Sequence, residues 1–215
     1  MYIPKYYQEA RVEVLHEYIR THPLGALITL TAGGLDANHI LFEVDPQPSP
    51  FGTLRGHIAR ANPLWHDASE NVETLVIFRG PSAYLSPSWY PGKRETGKVV
   101  PTWLYAVVHA HGPLRIIEDP AWLLEFVETL TNRYEAGRDD PWKVSDAPAD
   151  FIDALINAIV GIEIPITRLV GKWKINQHRS DRDRAGVIEG LLQEGHEAAT
   201  VMAGLMRQSD AEKQI

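Results

Sequence analysis

Glu73-Thr74-Leu75-Val76-Ile77-Phe78 is the run on which the fold turns. A strand with one face in water alternates apolar and polar side chains. Four consecutive apolar residues, two of them β-branched, instead predict burial on both faces, as in a barrel. Upstream, residues 24–31 form an apolar, β-branched run. Ala32-Gly33-Gly34 is a turn and residues 35–44 a second run, and together they predict a β-hairpin. Residues 45–50 contain three prolines and predict a loop, followed by a third strand over 52–59. Downstream, Gly80-Pro81 predicts a turn into residues 82–86, and residues 87–99 a loop rich in Pro, Gly and charge. Residues 102–117 read as a long strand bent near Gly112-Pro113, and 159–170 as a last strand.

Helical spacing marks residues 10–20, ended by His22-Pro23, then 120–134 with Asp119 as cap, 150–158, and one or two surface helices over 181–206. Asn62-Pro63 opens a short helix through Trp65. Fraying is expected from Gln208 on. Six or seven mostly antiparallel strands, with helices at both ends and between the last strands, give an α+β chain built on a barrel or sandwich. A doubly wound parallel sheet fits less well, because strands and helices do not alternate. Residues 1–179 are expected to form the barrel domain with its helical insertions, and 180–215 a C-terminal helical extension packed on it.

The chain has 215 residues, 44% hydrophobic and 23% charged, ordinary globular usage. With no cysteine, disulfides, thiolate metal sites and cysteine nucleophiles are excluded. No run approaches the ~20 apolar residues of a membrane-spanning helix, and the first residues lack a signal-peptide core. A cytoplasmic location is expected. A net charge of −7 disfavours a broad electrostatic footprint on nucleic acid.

Three segments could carry chemistry. Residues 55–65, Arg55-Gly56-His57-Ile58-Ala59-Arg60-Ala61-Asn62-Pro63-Leu64-Trp65, end a strand and enter a helix. Such a junction presents free N–H groups to an anion, and Arg60 could add a bidentate grip. A surface ion pair for Arg60 and a core role for His57 fit the same pattern. In Tyr84-Leu85-Ser86-Pro87-Ser88-Trp89-Tyr90-Pro91, prolines pin a backbone from which rings and hydroxyls project. That describes a wall for a planar ligand, or a self-packed loop. The adjoining Pro101-Thr102-Trp103 brings another tryptophan close. In Gly171-Lys172-Trp173-Lys174-Ile175-Asn176-Gln177-His178-Arg179, an extended chain puts Lys172, Lys174 and Asn176 on one face. This is either a phosphate clamp or an edge strand guarded by lysines. His109 and His111 share a strand face, but no third ligand stands at a recognisable spacing, so no metal site is expected. There is no H-E-x-x-H pair, G-x-S-x-G elbow, Walker loop or Rossmann G-x-G-x-x-G.

Taken in order, these segments resemble a known family. The opening Met1-Tyr2-Ile3-Pro4, Asn38-His39, Gly56 through Trp65, Gly80-Pro81 through Ser86-Pro87-Ser88-Trp89-Tyr90-Pro91, Pro101-Thr102-Trp103 and Gly171-Lys172-Trp173-Lys174 look like the PaiB family of FMN-binding negative transcriptional regulators. The match spans almost the whole chain. It departs at Leu104, where asparagine is usual, at Leu41 for proline, at Gly92 for serine, and at Asn176 and His178 for serine and asparagine.

The resemblance implies a mostly antiparallel FMN-binding split β-barrel, a homodimer with flavin at the subunit interface, and a role in gene control. On that basis Arg60 and Lys174 would grip the phosphate, supported by Lys172 and Asn176. His57 and Ser86 would hydrogen-bond the ligand, Asn62 belongs to the same motif, and Trp89 or Trp103 would shield the ring. Two alternatives stay open. One is an oxidoreductase using flavin, or haem with His109 and His111 as the ligands to examine. The other is a dimeric interaction protein with a degenerate pocket. DNA contact is not supported by the net charge.

Overall fold

The Ala32-Gly33 turn closes a two-residue hairpin: Thr31 pairs with Gly34, whose φ of 113° suits glycine alone. In this computed structural model, which describes residues 1–69 and 71–212, that hairpin joins β2 (Leu24–Thr31) to β3 (Gly34–Leu41). A 3-10 turn (Lys5–Tyr7) opens the chain, followed by β1 (Gln8–Glu9) and α1 (Val12–Thr21). After the hairpin come β4 (Glu43–Asp45), β5 (Thr53–Ala59), α2 (Leu64–Asp67), β6 (Thr74–Leu85), α3 (Lys93–Thr96), β7 (Thr102–Gly112) and β8 (Arg115–Ile117). Then follow α4 (Pro120–Glu135), α5 (Ala149–Asn157), β9 (Ile159–Pro165), β10 (Arg168–Lys174), α6 (Asp181–Glu194) and α7 (Glu197–Glu212).

One sheet has the order β1-β10-β7-β6-β2-β3 and the other β4-β5-β9-β8. The pairings β1–β10, β2–β3, β2–β6, β4–β5, β5–β9 and β8–β9 are all antiparallel. The chain forms two compact units. A central unit holds Val12–Phe78 and His109–Leu169. A terminal unit holds Met1–Arg11, Arg79–Val108 and the residues from Val170 on.

In the central unit, Leu27, Phe42, Leu54, Val76, Phe78, Val160, Ile162 and Ile164 are wholly buried. Phe42 and Phe78 meet edge to face at 5.9 Å. The run Glu73–Phe78 buries Thr74, Val76 and Phe78 on one face and half-covers Leu75 and Ile77 on the other. In the terminal unit, Leu85, Leu104, Val108 and Ile175 are buried, as are Val187 and Leu191 of α6 and Ala199, Met202, Ala203 and Met206 of α7.

The structure corrects several expectations. Gly80-Pro81 is not a turn, because β6 runs through it. Buried positions are even-numbered up to Phe78 and odd-numbered at Ala83 and Leu85, so the Gly-Pro pair marks a change of phase within one strand. Residues 35–44 divide at Phe42, whose N–H still bonds the Pro23 carbonyl in the β2–β3 register, into β3 and a separate β4 that pairs with β5 in the other sheet. The stretch 159–170 holds two strands, with Thr167 N bonded to His111 O at the turn between them. Strands therefore number ten among the described residues, not six or seven. Fraying from Gln208 is not seen as far as Glu212: α7 persists to that residue, tied by Asp210 to Arg184 of α6. Residues 213–215 lie outside the described residues. Asp119 does cap α4, its carboxylate accepting from Ala121 N at 3.0 Å.

Candidate functional site

The nine residues singled out in the sequence divide between the units. His57, Arg60 and Asn62 belong to the central unit, and the other six to the terminal unit.

In the central unit, strand β5 ends at Ala59 and Arg60 turns back onto the chain. Its Nε donates to Asn157 O at 2.9 Å, Nη2 to Ile159 O at 3.2 Å, and Nη1 to Glu118 Oε2 at 2.8 Å. The guanidinium also lies 5.5 Å from the Trp65 ring centroid. Asn62 donates to Asn38 Oδ1 at 2.8 Å and accepts Leu64 N at 2.9 Å, so the start of α2 is closed by its own side chain. His57 sits edge-on to Phe126 at 5.8 Å. Its buried Nδ1 has no hydrogen-bond partner among the described residues, and burial lowers its pKa. Every contact of this motif is internal.

On β7, His109 and His111 lie with ring centroids 6.5 Å apart. His111 Nδ1 is 3.1 Å from Arg168 Nη2. Burial, with neighbouring positive charge, drives His109 down to about 4, so its imidazole is neutral. Among the described residues no group of three His, Asp or Glu is disposed to hold a metal.

In the terminal unit, Ser86 caps the short 3-10 turn Pro87–Trp89, its Oγ accepting from Ser88 N at 3.2 Å. The Trp89 ring lies against Gly190 of α6, where a Cβ would fall 2.3 Å from a ring carbon. Trp89 is thereby committed to the helix. Asn176 adopts a left-handed φ of 69°. Its Oδ1 accepts from Tyr90 OH at 3.2 Å, and its buried Nδ2 has no partner among the described residues.

Strand β7 alternates at its start, with Leu104 and Ala106 buried and Trp103 and Tyr105 facing outward, and is then buried from Ala106 to Val108. Leu104, one of the residues that depart from the family pattern, therefore lies in the core. Trp103 is 56% exposed and meets Tyr84 edge-on at 6.1 Å. The ammonium groups of Lys172 and Lys174 stand 5.4 and 5.7 Å from the Tyr105 ring centroid. Lys174 Nζ donates to Thr102 Oγ1 at 2.6 Å, and Lys172 Nζ to Tyr2 O at 3.1 Å. Neither lysine has a carboxylate partner among the described residues. Beside them, Arg79, Ser82, Trp103, Tyr105 and Val107 line a cavity of about 290 Å³.

Of the predicted residues, Trp103, Lys172 and Lys174 are thus gathered around Tyr105. Tyr105, Arg79, Ser82 and Val107 were not foreseen. Residues 103–108 are apolar throughout, so nothing in the sequence marked Tyr105, and the Gly80-Pro81 phase change hid Arg79 and Ser82.

Residues 1–168 match the family described as "Putative FMN-binding domain". The chain is 32% identical over 215 residues to the protease synthase and sporulation protein PAI 2 of Bacillus subtilis, covering 100% of both. It is 36% identical over 243 residues to an uncharacterised protein of Emericella nidulans, covering 97% of both. Among solved structures, it resembles the FAD and heme binding protein of Mycobacterium smegmatis with a TM-score of 0.57 and 16% identity, over 83% of this chain and 78% of that one. It resembles flavocytochrome Anf3 of Azotobacter vinelandii with a TM-score of 0.57 and 14% identity, over 86% and 78%. The fold is the split β-barrel with flanking helices that the sequence implied.

Proposed function

This chain belongs to the PaiB family of FMN-binding split-barrel proteins, and we propose that it holds FMN on the outer face of β7, as a cytoplasmic homodimer that acts in gene control. The observation that carries this reading is two ammonium groups, without a carboxylate partner among the described residues, beside an exposed aromatic floor. A planar anionic ligand needs both.

The residues fit the cofactor. Trp103 and Tyr105 supply flat apolar surface for a tricyclic ring, and Val107 extends it. A cavity of about 290 Å³ lies at the lower edge of small-molecule sites, and its neighbouring lysines extend the site for a phosphate tail. An ammonium has three donors, and Lys174 uses one on Thr102, which holds the head in place for a phosphate oxygen. The Arg79 guanidinium, steadied by Ser82 at 3.1 Å, adds positive charge at the same cavity. FMN, when bound, supplies one- and two-electron redox chemistry. The chain's own contribution is to bind it, orient it and cover its ring.

Titrating the purified protein with FMN tests the reading, with visible absorption and tryptophan quenching as readouts. Saturation at micromolar or lower flavin is expected, and folded protein that leaves the flavin spectrum unchanged would overturn it. Dimerisation is supported by the exposure of Tyr84 and Trp103, at 49% and 56%, which a second copy would cover. Sedimentation should give twice the chain mass. Regulation is supported by the Bacillus subtilis relative's designation as a sporulation protein. The charge of −7 points to control through a protein partner rather than broad DNA contact. Gel shifts should then show no salt-sensitive, sequence-independent binding.

Electron transfer is the second reading. It is favoured by His109, kept neutral and therefore able to ligate iron. Added haem should then give a ligated Soret band that His109→Ala removes, and an unchanged free-haem spectrum would dismiss it.

A further inference from the structure

Residues 169–215 lie beyond the stretch that matches the FMN-binding domain, yet they include Lys172 and Lys174 as well as α6 and α7. At the centre of that segment is Arg184, which is 0% exposed. Its Nε donates to Asp210 Oδ1 at 2.7 Å, Nη2 to Met206 O at 3.0 Å, and Nη1 to Ile175 O at 2.8 Å. Burying a guanidinium costs more than its pairing generally returns, and apolar residues of similar volume often stabilise such a place better. What a buried guanidinium with all three nitrogens bonded does provide is fixed geometry.

That geometry is delivered to Lys174. Ile175, whose carbonyl Arg184 holds, is the next residue. Gln177 holds both sides of the same lysine, donating to Trp173 O at 2.6 Å and accepting from Ile175 N at 3.1 Å. Asn176 turns the chain away in a left-handed conformation. The backbone on either side of Lys174 is therefore fixed by side chains, and its head is fixed by Thr102.

We infer that Arg184, held by Asp210, is a positioning residue that aims Lys174 at the ligand's phosphate and so sets the preference for FMN over riboflavin. This rests on the flavin reading above. It assigns the two C-terminal helices a task in recognition: α6 carries Arg184, and α7 carries its two other partners, Met206 and Asp210. Alignment matters because a charge-assisted hydrogen bond weakens steeply with angle and distance.

The test compares FMN and riboflavin affinities in full-length protein, using wild type, Arg184→Met, Arg184→Lys, Asp210→Asn and, as reference, Lys174→Gln. Wild type should bind FMN about 100-fold more tightly than riboflavin. Lys174→Gln should abolish most of that ratio. Asp210→Asn and Arg184→Lys should each lower it about tenfold while riboflavin affinity stays within about twofold. Should Arg184→Met fail to fold, the two milder variants carry the result. A fall in Tm that weakens both flavins equally, leaving the ratio intact, would show a merely structural role and overturn the inference. Equal wild-type affinity for the two flavins would overturn it as well. Wild type that binds neither flavin sinks the flavin reading itself, a different failure from variants that keep the wild-type ratio.

Discussion

Arg60 and Lys174 carry the same charge, and each stands in a motif that the sequence offers as a phosphate grip. The fold treats them in opposite ways. Arg60 is bonded to two backbone carbonyls and a carboxylate, so its donors serve the join between β5 and the end of α5. Lys174 is bonded to one hydroxyl and stands over an outward-facing tyrosine beside a cavity. A basic side chain near a helix start is a weak sign of anion binding, because unpaired carbonyls at loop ends compete for the same donors. A basic side chain on an exposed strand face has fewer such competitors.

The largest test of this contrast removes the charges. Lys172→Gln with Lys174→Gln should weaken FMN binding by about 100-fold, the scale of losing two charge-assisted contacts. Arg60→Gln should change FMN affinity less than about threefold and instead lower stability by about 1–2 kcal/mol, the exposed Glu118 pair adding little. Flavin titration and urea unfolding of the same samples separate the two effects. An Arg60 variant that loses flavin while keeping its stability breaks the comparison outright.

A second test concerns Trp89, whose ring the helix has claimed. Glycine to alanine inside a helix ordinarily stabilises by up to about 1 kcal/mol. At Gly204 of α7, where an added Cβ meets nothing within 4 Å, that gain is expected. At Gly190 the same change should cost about 1–3 kcal/mol, because the Cβ would lie 2.3 Å from the Trp89 ring. Thermal unfolding gives both signs. If Gly190→Ala stabilises the protein, Trp89 is free to move and regains its place as a candidate ring shield. Trp103→Ala, by contrast, should leave stability within about 0.5 kcal/mol and weaken FMN about tenfold, the scale of one lost stacking partner.

Much of the fold was legible because it rests on local signals. Pattern and turn chemistry located the β2–β3 hairpin, the Asp119 cap and α4. What escaped depends on partners distant in sequence. Gly80-Pro81 is as good a turn signal as any, and only the continuation of β6 on both sides turns it into a change of phase. The site was half legible for the same reason. Lys172, Lys174 and Trp103 could be named from charge and motif, whereas Tyr105 emerges only when β7 is seen to leave Trp103 and Tyr105 less buried than Leu104 and Ala106. An ion pair for Arg60 and a self-packed loop around Trp89 stood in the sequence only as alternatives, since the hydrogen-bond partners of Arg60 and the helix glycine against Trp89 lie 58 to 101 residues away.

The smallest test returns to the Arg55–Trp65 motif, through His57. Its imidazole is held below the ordinary value of 6.5 by burial, so the folded state binds a proton less readily than the unfolded chain. Stability is therefore complete above the ordinary imidazole range and falls as pH drops from there toward the lowered folded value, with no further loss below it. His109, His111 and His178 are shifted in the same direction, so wild type should weaken in acid through several groups at once. His57→Leu removes one of these contributions and also a buried Nδ1 that has no partner among the described residues. Near pH 7.5 the variant should match wild type or exceed it by at most about 1 kcal/mol. Its urea midpoint should also decline less between pH 7.5 and pH 5, with FMN affinity unchanged. A His57→Leu protein that folds normally yet loses flavin would return this motif to the ligand and undo the division of labour between Arg60 and Lys174.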